Sequence, residues 1–142
     1  MPNIDLSQLV TAEDKATTAR AAKYADLADL RWQRETGGLD LPDGLSVTTT
    51  REAQAQIAST VQNISAGLIT EPVAWKLASG WADLTAAQIT VIAGAVTDHV
   101  RCCFTAERNV AGQLAAQPGS LSGIDLDTIF GTAYAQAAQQ WS

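Results

Sequence analysis

The stretch Arg31-Trp32-Gln33-Arg34-Glu35-Thr36-Gly37-Gly38-Leu39-Asp40-Leu41-Pro42-Asp43-Gly44-Leu45-Ser46-Val47-Thr48-Thr49-Thr50-Arg51-Glu52-Ala53-Gln54-Ala55-Gln56-Ile57 holds a helix end, a hairpin and a helix start in one run. Gly37-Gly38 ends the incoming helix, because glycine takes the left-handed cap conformation without a Cβ penalty. Leu39-Asp40-Leu41 and Leu45-Ser46-Val47-Thr48 alternate on either side of Pro42-Asp43-Gly44, the pattern of a hairpin around an Asp-Gly turn. Thr49 or Thr50 then caps a second helix, with Glu52 in its first turn favouring the positive end of the helix dipole. Its apolar stripe reads Ala53, Ile57, Val61, Ile64, Leu68.

Upstream, Thr11-Ala12-Glu13-Asp14 reads as a helix start, and the helix runs to Glu35. Residues 1 to about 10 read as an extended lead-in, anchored only by Ile4, Leu6, Leu9 and Val10. The first half of the helix is mostly Ala, Thr and charge, so it projects or meets a partner. Tyr24, Leu27, Leu30 or Arg31, and Arg34 give an apolar face only in the second half.

Downstream, Glu71-Pro72 breaks the chain. Val73, Trp75 and Leu77 alternate with Ala74, Lys76 and Ala78 as in a half-buried strand, Ser79-Gly80 turns, and Trp81-Ala82-Asp83-Leu84 returns. Thr85-Ala86-Ala87-Gln88 is a capping box opening a third helix, from Ala86 to Ala116, with the stripe Ile89, Ile92, Val96, Val100, Cys103, Val110, Leu114. Gln117-Pro118-Gly119-Ser120 is a loop. Asp125 or Asp127 caps a last helix from Leu126 to Gln140, with Leu126, Phe130, Ala133, Ala137 and Trp141 on one face. The expected fold is α+β: three to four helices packed on a small antiparallel sheet of two β-hairpins, with an N-terminal helical arm. The hairpins are expected to pair into one sheet, with the second and third helices on one face. Residues 1–27 form the arm and the start of the helix, and residues 28–142 the small domain.

At 142 residues this length forms a core without staples. Much of the 46% hydrophobic share is alanine, and only two Phe, two Tyr and one Met occur, so the four Trp supply most of the bulk. The net charge of −6 disfavours nucleic acid and anionic membrane surfaces. No apolar run is long enough for membrane insertion, and Met1-Pro2-Asn3-Ile4-Asp5 does not read as a secretory signal. Cys102 and Cys103 are adjacent and pair only with strain, which fits synthesis in a reducing compartment.

Candidate chemistry is sparse. His99, Cys102 and Cys103 lie within one helical turn, but a zinc site needs a further ligand, and a Cys-His nucleophile needs an orienting group and an oxyanion pocket. Gly37-Gly38 and Gly44 do not form a phosphate loop. Asp40, Asp43, Asp125 and Asp127 take turn and cap roles, without the further ligands of a calcium loop. The expectation is therefore no enzyme, no catalytic residue, no metal and no cofactor. Trp75 and Trp81 share a hairpin and raise a sugar-stacking platform, against which core packing weighs more heavily. The residues expected to carry interactions are Leu6, Leu9, Val10, Tyr24, Trp32, Trp75 and Trp81.

From Arg31–Gly38 through Thr50–Ile57, Trp75-Lys76, Gly80, Leu84–Ile89, Ala95-Val96, His99-Val100 and Cys103-Phe104, the chain resembles an uncharacterised domain family. That family is associated with tail-fibre and tail proteins of tailed bacteriophages and prophages, and the likeness spans residues 28 to 115. The resemblance implies a virion-associated or tail-assembly protein, made in the bacterial host cytoplasm and carried in the tail. It implies phage tail or tail-fibre subunits as partners, with self-association a further option, and it transfers no catalytic residue. The leading expectation is a structural tail protein at the distal tail or fibre attachment region. The alternatives are a fibre-assembly chaperone absent from the mature virion and a host-surface glycan-binding module.

Overall fold

Helix α1 (Leu6–Thr36) opens the computed structural model, which describes residues 6–140 and, within them, side chains from Thr11 onward. The helix starts five residues before the expected cap, so Thr11 lies inside it and the segment read as an extended lead-in is helical from Leu6. The physical reason is the absence of a breaker: Leu6-Ser7-Gln8-Leu9-Val10 holds neither Gly nor Pro, and an established helix propagates through such residues at little cost. The anchors Leu6, Leu9 and Val10 have side chains outside the described residues, as do Ile4 and Trp141 altogether.

The end of α1 is fixed by its glycines. A Cβ on Gly37 would stand 2.7 Å from the Gln33 carbonyl oxygen, and Gly38 has φ +98°. Strands β1 (Leu39–Asp40) and β2 (Ser46–Val47) pair antiparallel, Leu39 opposite Val47. The Leu41 amide donates to the Leu45 carbonyl at 2.8 Å, closing the hairpin around Pro42-Asp43-Gly44. Of the two expected caps for α2 (Arg51–Ser65), Thr50 acts: its hydroxyl accepts from the Ala53 amide at 3.1 Å. In the stripe Ile57 is buried, and Val61 and Ile64 are half-buried. Leu68 departs from it at 76% exposure, because α2 ends at Ser65 and Gly67, with φ +76°, turns the chain away.

Strands β3 (Val73–Leu77) and β4 (Gly80–Leu84) form the second hairpin. The hairpins do not merge, and the described residues hold two separate two-stranded antiparallel sheets. β1 and β2 are only two residues each, too short to offer a ladder; a bond from the Ala78 amide to the Ser46 carbonyl, at 3.2 Å, ties the hairpins. With four helices among the described residues, the fold is α+β with an N-terminal helix.

Helix α3 (Ala86–Ala115) is the spine. The Thr85 hydroxyl accepts from the Gln88 amide at 3.1 Å and the Gln88 side chain accepts from the Thr85 amide at 2.9 Å, the reciprocal cap expected. The N-terminal half of α3 packs Ile89, Ile92 and Val96 with Val47, Ile57, Leu77 and Leu84. Its C-terminal half packs Cys103, Ala106, Val110 and Leu114 with Leu27 of α1, Leu121, and Phe130 and Ala133 of α4 (Leu126–Gln140). Each large buried side chain contributes about 1.5–3 kcal/mol. Asp125, just ahead of α4, accepts from the Thr128 hydroxyl at 2.6 Å and, at 3.5 Å, from the Thr128 amide.

Candidate interaction surface

Where α1, α2 and α3 meet, a carboxylate is fully buried. Glu35 accepts from Arg31 Nη1 at 2.6 Å, from Arg51 Nε at 2.5 Å and Nη2 at 3.0 Å, and from Gln54 Nε2 at 2.9 Å. Burial pushes the Glu35 carboxyl up, but the hydrogen bonds from Arg51, Gln54 and Arg31 outweigh it and hold the group below its ordinary range. Arg31 is completed by Glu107 of α3, bonded to its Nε at 2.9 Å. Burial lowers the Arg31 pKa, and its two carboxylate partners more than reverse that.

These guanidinium groups position aromatic rings on the surface. Arg31 lies over Phe104 at 4.5 Å, and Arg51 lies over Trp32 at 5.2 Å and Phe104 at 5.8 Å. Trp32 is 48% exposed and Phe104 44%. Three helices thus hold an aromatic-arginine face, its cations tied to an ordered buried anion. Tryptophan and arginine on a rigid support are the side chains that dominate protein interfaces.

The neighbouring loop closes the end of α1 through Gly38 and Thr49. The buried Thr49 hydroxyl donates to the Glu35 carbonyl at 2.6 Å and accepts from the Gly38 amide at 2.9 Å. His99 reaches in from α3: its Nε2 donates to the Arg34 carbonyl at 2.9 Å, leaving Nδ1 to accept from the Tyr134 hydroxyl at 2.8 Å. Carbonyls left open at the end of α1 are closed by side chains from other elements. His99, Gly38, Leu39, Phe130 and Tyr134 line a cleft of about 440 Å³. Both ring nitrogens face protein partners, so His99 acts there as a cross-link. Burial, then the Glu35 charge, push the Cys103 thiol up to about 12, and the sulfur sits 3.9 Å from His99 Nε2. Such a thiol stays protonated at neutral pH and is a poor nucleophile. Tyr134 is likewise pushed up to about 12 by burial, then by the nearby cysteines. Among the described residues no group of three His, Cys, Asp or Glu side chains could hold a metal ion.

The other expected interaction residues scatter. Tyr24 is half-buried against the core that contains Leu27. Trp75 is half-buried against the second core, whereas Trp81 is 75% exposed. Trp75 pairs with Ala82 and Trp81 with Lys76, which sets the two residues on opposite faces of the hairpin, although both border one cleft of about 280 Å³. Lys76 lies 5.8 Å from the Trp81 ring. Phe104, Arg51 and the anchoring role of Glu35 were missed in the sequence. Phe104 carried a signal, since it is an aromatic that falls outside the buried stripe of its helix.

The described side chains in the first half of α1 are mostly exposed. Thr11 to Lys15, Thr17 and Thr18 face solvent, and Arg20 ties the helix to the body. Its guanidinium donates to the Leu114, Gln117 and Gly119 carbonyls at 3.2, 2.7 and 2.9 Å, clasping the end of α3 and the loop after it.

Residues 18–138 match the profile of the family described as a domain of unknown function (DUF4376), and the chain belongs to that family. The match extends beyond the 28–115 stretch at both ends. No curated protein and no solved structure matches the chain.

Proposed function

We propose that this member of the DUF4376 family is a structural, virion-associated protein of a bacteriophage tail. It acts by protein-protein binding at the distal tail or the fibre attachment region. The Trp32-Arg51-Phe104 face carries the reading, because it displays apolar rings on a rigid three-helix support, the form of an interface that binds without reorganising. The exposed stretch 11–15 of α1 adds a second adhesive element. The likeness of Arg31–Phe104 to tail-associated domains supplies the context. The mechanism is passive: the face and the arm bury against neighbouring subunits, and no bond is made or broken.

Mass spectrometry of purified particles tests this. The chain is expected in mature particles, at a stoichiometry fixed to the tail proteins. The double substitution Trp32→Ser and Phe104→Ser should leave the chain folded, as read by circular dichroism, and deplete it from particles. Deleting residues 1–25 should deplete it as well. Recovery of the chain with fibre protein in lysates, but never in mature particles, would make it an assembly chaperone and overturn the structural role.

A further inference from the structure

We propose that the cleft between α2 and the β3–β4 hairpin binds an acidic oligosaccharide, with a carboxylated ring packed beside Trp75 and its charge on Lys76. The cleft shares no residue with the Trp32-Arg51-Phe104 face, and the inference goes beyond the tail reading without resting on it.

The cleft has a volume of about 280 Å³ and an apolar lining of the buried Val47, Ile57 and Val96. That is the small end of ligand sites, about 300–1,000 Å³, and suits a ring rather than a folded segment. Half-buried Trp75 borders it, as does Trp81 at 75% exposure. An indole beside an apolar floor takes the C–H face of a sugar ring, while the hydroxyls at the ring's edge need polar partners.

Thr48, Gln56 and Lys76 supply those partners. All three border the cleft, and none of their side chains has a hydrogen bond or ion pair among the described residues. A hydroxyl, a carboxamide and an ammonium offer donors and acceptors for a polyol. Lys76 is also the one charged residue among the described residues of the lining, with its ammonium 5.8 Å from the Trp81 ring. Asp83 shares its hairpin face through the pairing with Ala74, yet lies outside the lining and makes no ion pair with it. Glu52, one turn before Gln56 on α2, is outside the lining as well. A free ammonium on a cleft without a carboxylate favours an anionic ring.

A second cleft, of about 260 Å³, shares Val47 and Thr48 with the first. Thr36, Ser46 and Thr50 line it with hydroxyls. Thr36 and Ser46 donate to the Trp32 carbonyl and to Asp40, and Thr50 accepts from the Ala53 amide, so each keeps capacity for a further bond. Asp40 also lines this second cleft, and its charge disfavours an acidic ring there. The two clefts together suit an acidic ring beside Lys76 followed by a neutral ring beside Asp40.

Titrating the purified full chain with an oligosaccharide of alternating glucuronate and N-acetylglucosamine units, read by tryptophan fluorescence and saturation-transfer NMR, tests the inference. Saturable binding that weakens with added salt is expected. Lys76→Gln should weaken it about tenfold, and an oligosaccharide of N-acetylglucosamine alone should bind the parent about tenfold more weakly. An oligosaccharide of uronate units alone should also bind more weakly than the alternating one, and Asp40→Asn should narrow that gap. Lys76 and Asp40 are exposed, so unchanged thermal melts should show that both variants fold. Failure of the alternating ligand to bind overturns the inference. So does equal binding of the acidic and neutral ligands, or a folded Lys76→Gln variant that binds like the parent.

Discussion

Replacing Glu35 by alanine should be the most damaging single change at the junction of α1, α2 and α3. The carboxylate is fully buried and collects donors from Arg31, Arg51 and Gln54. Removing one member of a buried ion pair costs about 3–5 kcal/mol, mostly because the partner is left buried and unmatched. Here the partners have outlets. Arg51 is 51% exposed and rehydrates, Arg31 keeps Glu107, and Gln54 keeps the Thr49 carbonyl at 2.9 Å. The loss should therefore fall at the low end, about 3 kcal/mol. That corresponds to about 10 °C in Tm for a domain of this size.

The pH dependence has a defined sign. Glu35 titrates below its ordinary 4.5 in the folded chain, so its stabilisation is fully present above the unfolded value and is lost as pH falls through the folded one. Urea unfolding followed by circular dichroism, at neutral pH and again at about pH 3, measures both quantities. The gap between parent and variant should be wide at neutral pH and narrow in acid. A loss below about 1 kcal/mol at neutral pH, with an unchanged denaturant slope, would refute the claim that this carboxylate organises the junction.

Three further outcomes are expected. Replacing His99 by phenylalanine removes the donor to the Arg34 carbonyl and the acceptor of the Tyr134 hydroxyl, and should cost about 1–3 kcal/mol in urea unfolding; Tyr134→Phe alone should cost about 1 kcal/mol. Cys103, buried and pushed up to about 12, should resist iodoacetamide in the native protein, with labelling of both cysteines appearing only in denaturant when read by mass spectrometry. Arg20→Ala should change global stability by less than about 1 kcal/mol yet speed amide exchange about fivefold in residues 116–121, because the clasp on the Leu114, Gln117 and Gly119 carbonyls is lost.

What the sequence determined by itself was local. Gly37-Gly38, Asp43-Gly44, the Thr85-Gln88 box and the α3 stripe act over a few residues through φ preference, short hydrogen bonds and the 3.6-residue period, so they were legible without neighbours. The boundaries of α4 followed for the same reason. Periodicity states that residues share a face but not what covers it. Only the tertiary structure could show that Leu68 leaves its stripe, that Trp81 and Phe104 stay exposed, and that the hairpins remain separate sheets. The same holds for Glu35, whose burial depends on Arg51 and Gln54, sixteen and nineteen residues away, and on an Arg31 held by Glu107 across seventy-six. A charged residue on a helix reads as solvated until distant donors converge on it, and that convergence is a property of packing rather than of any window of sequence.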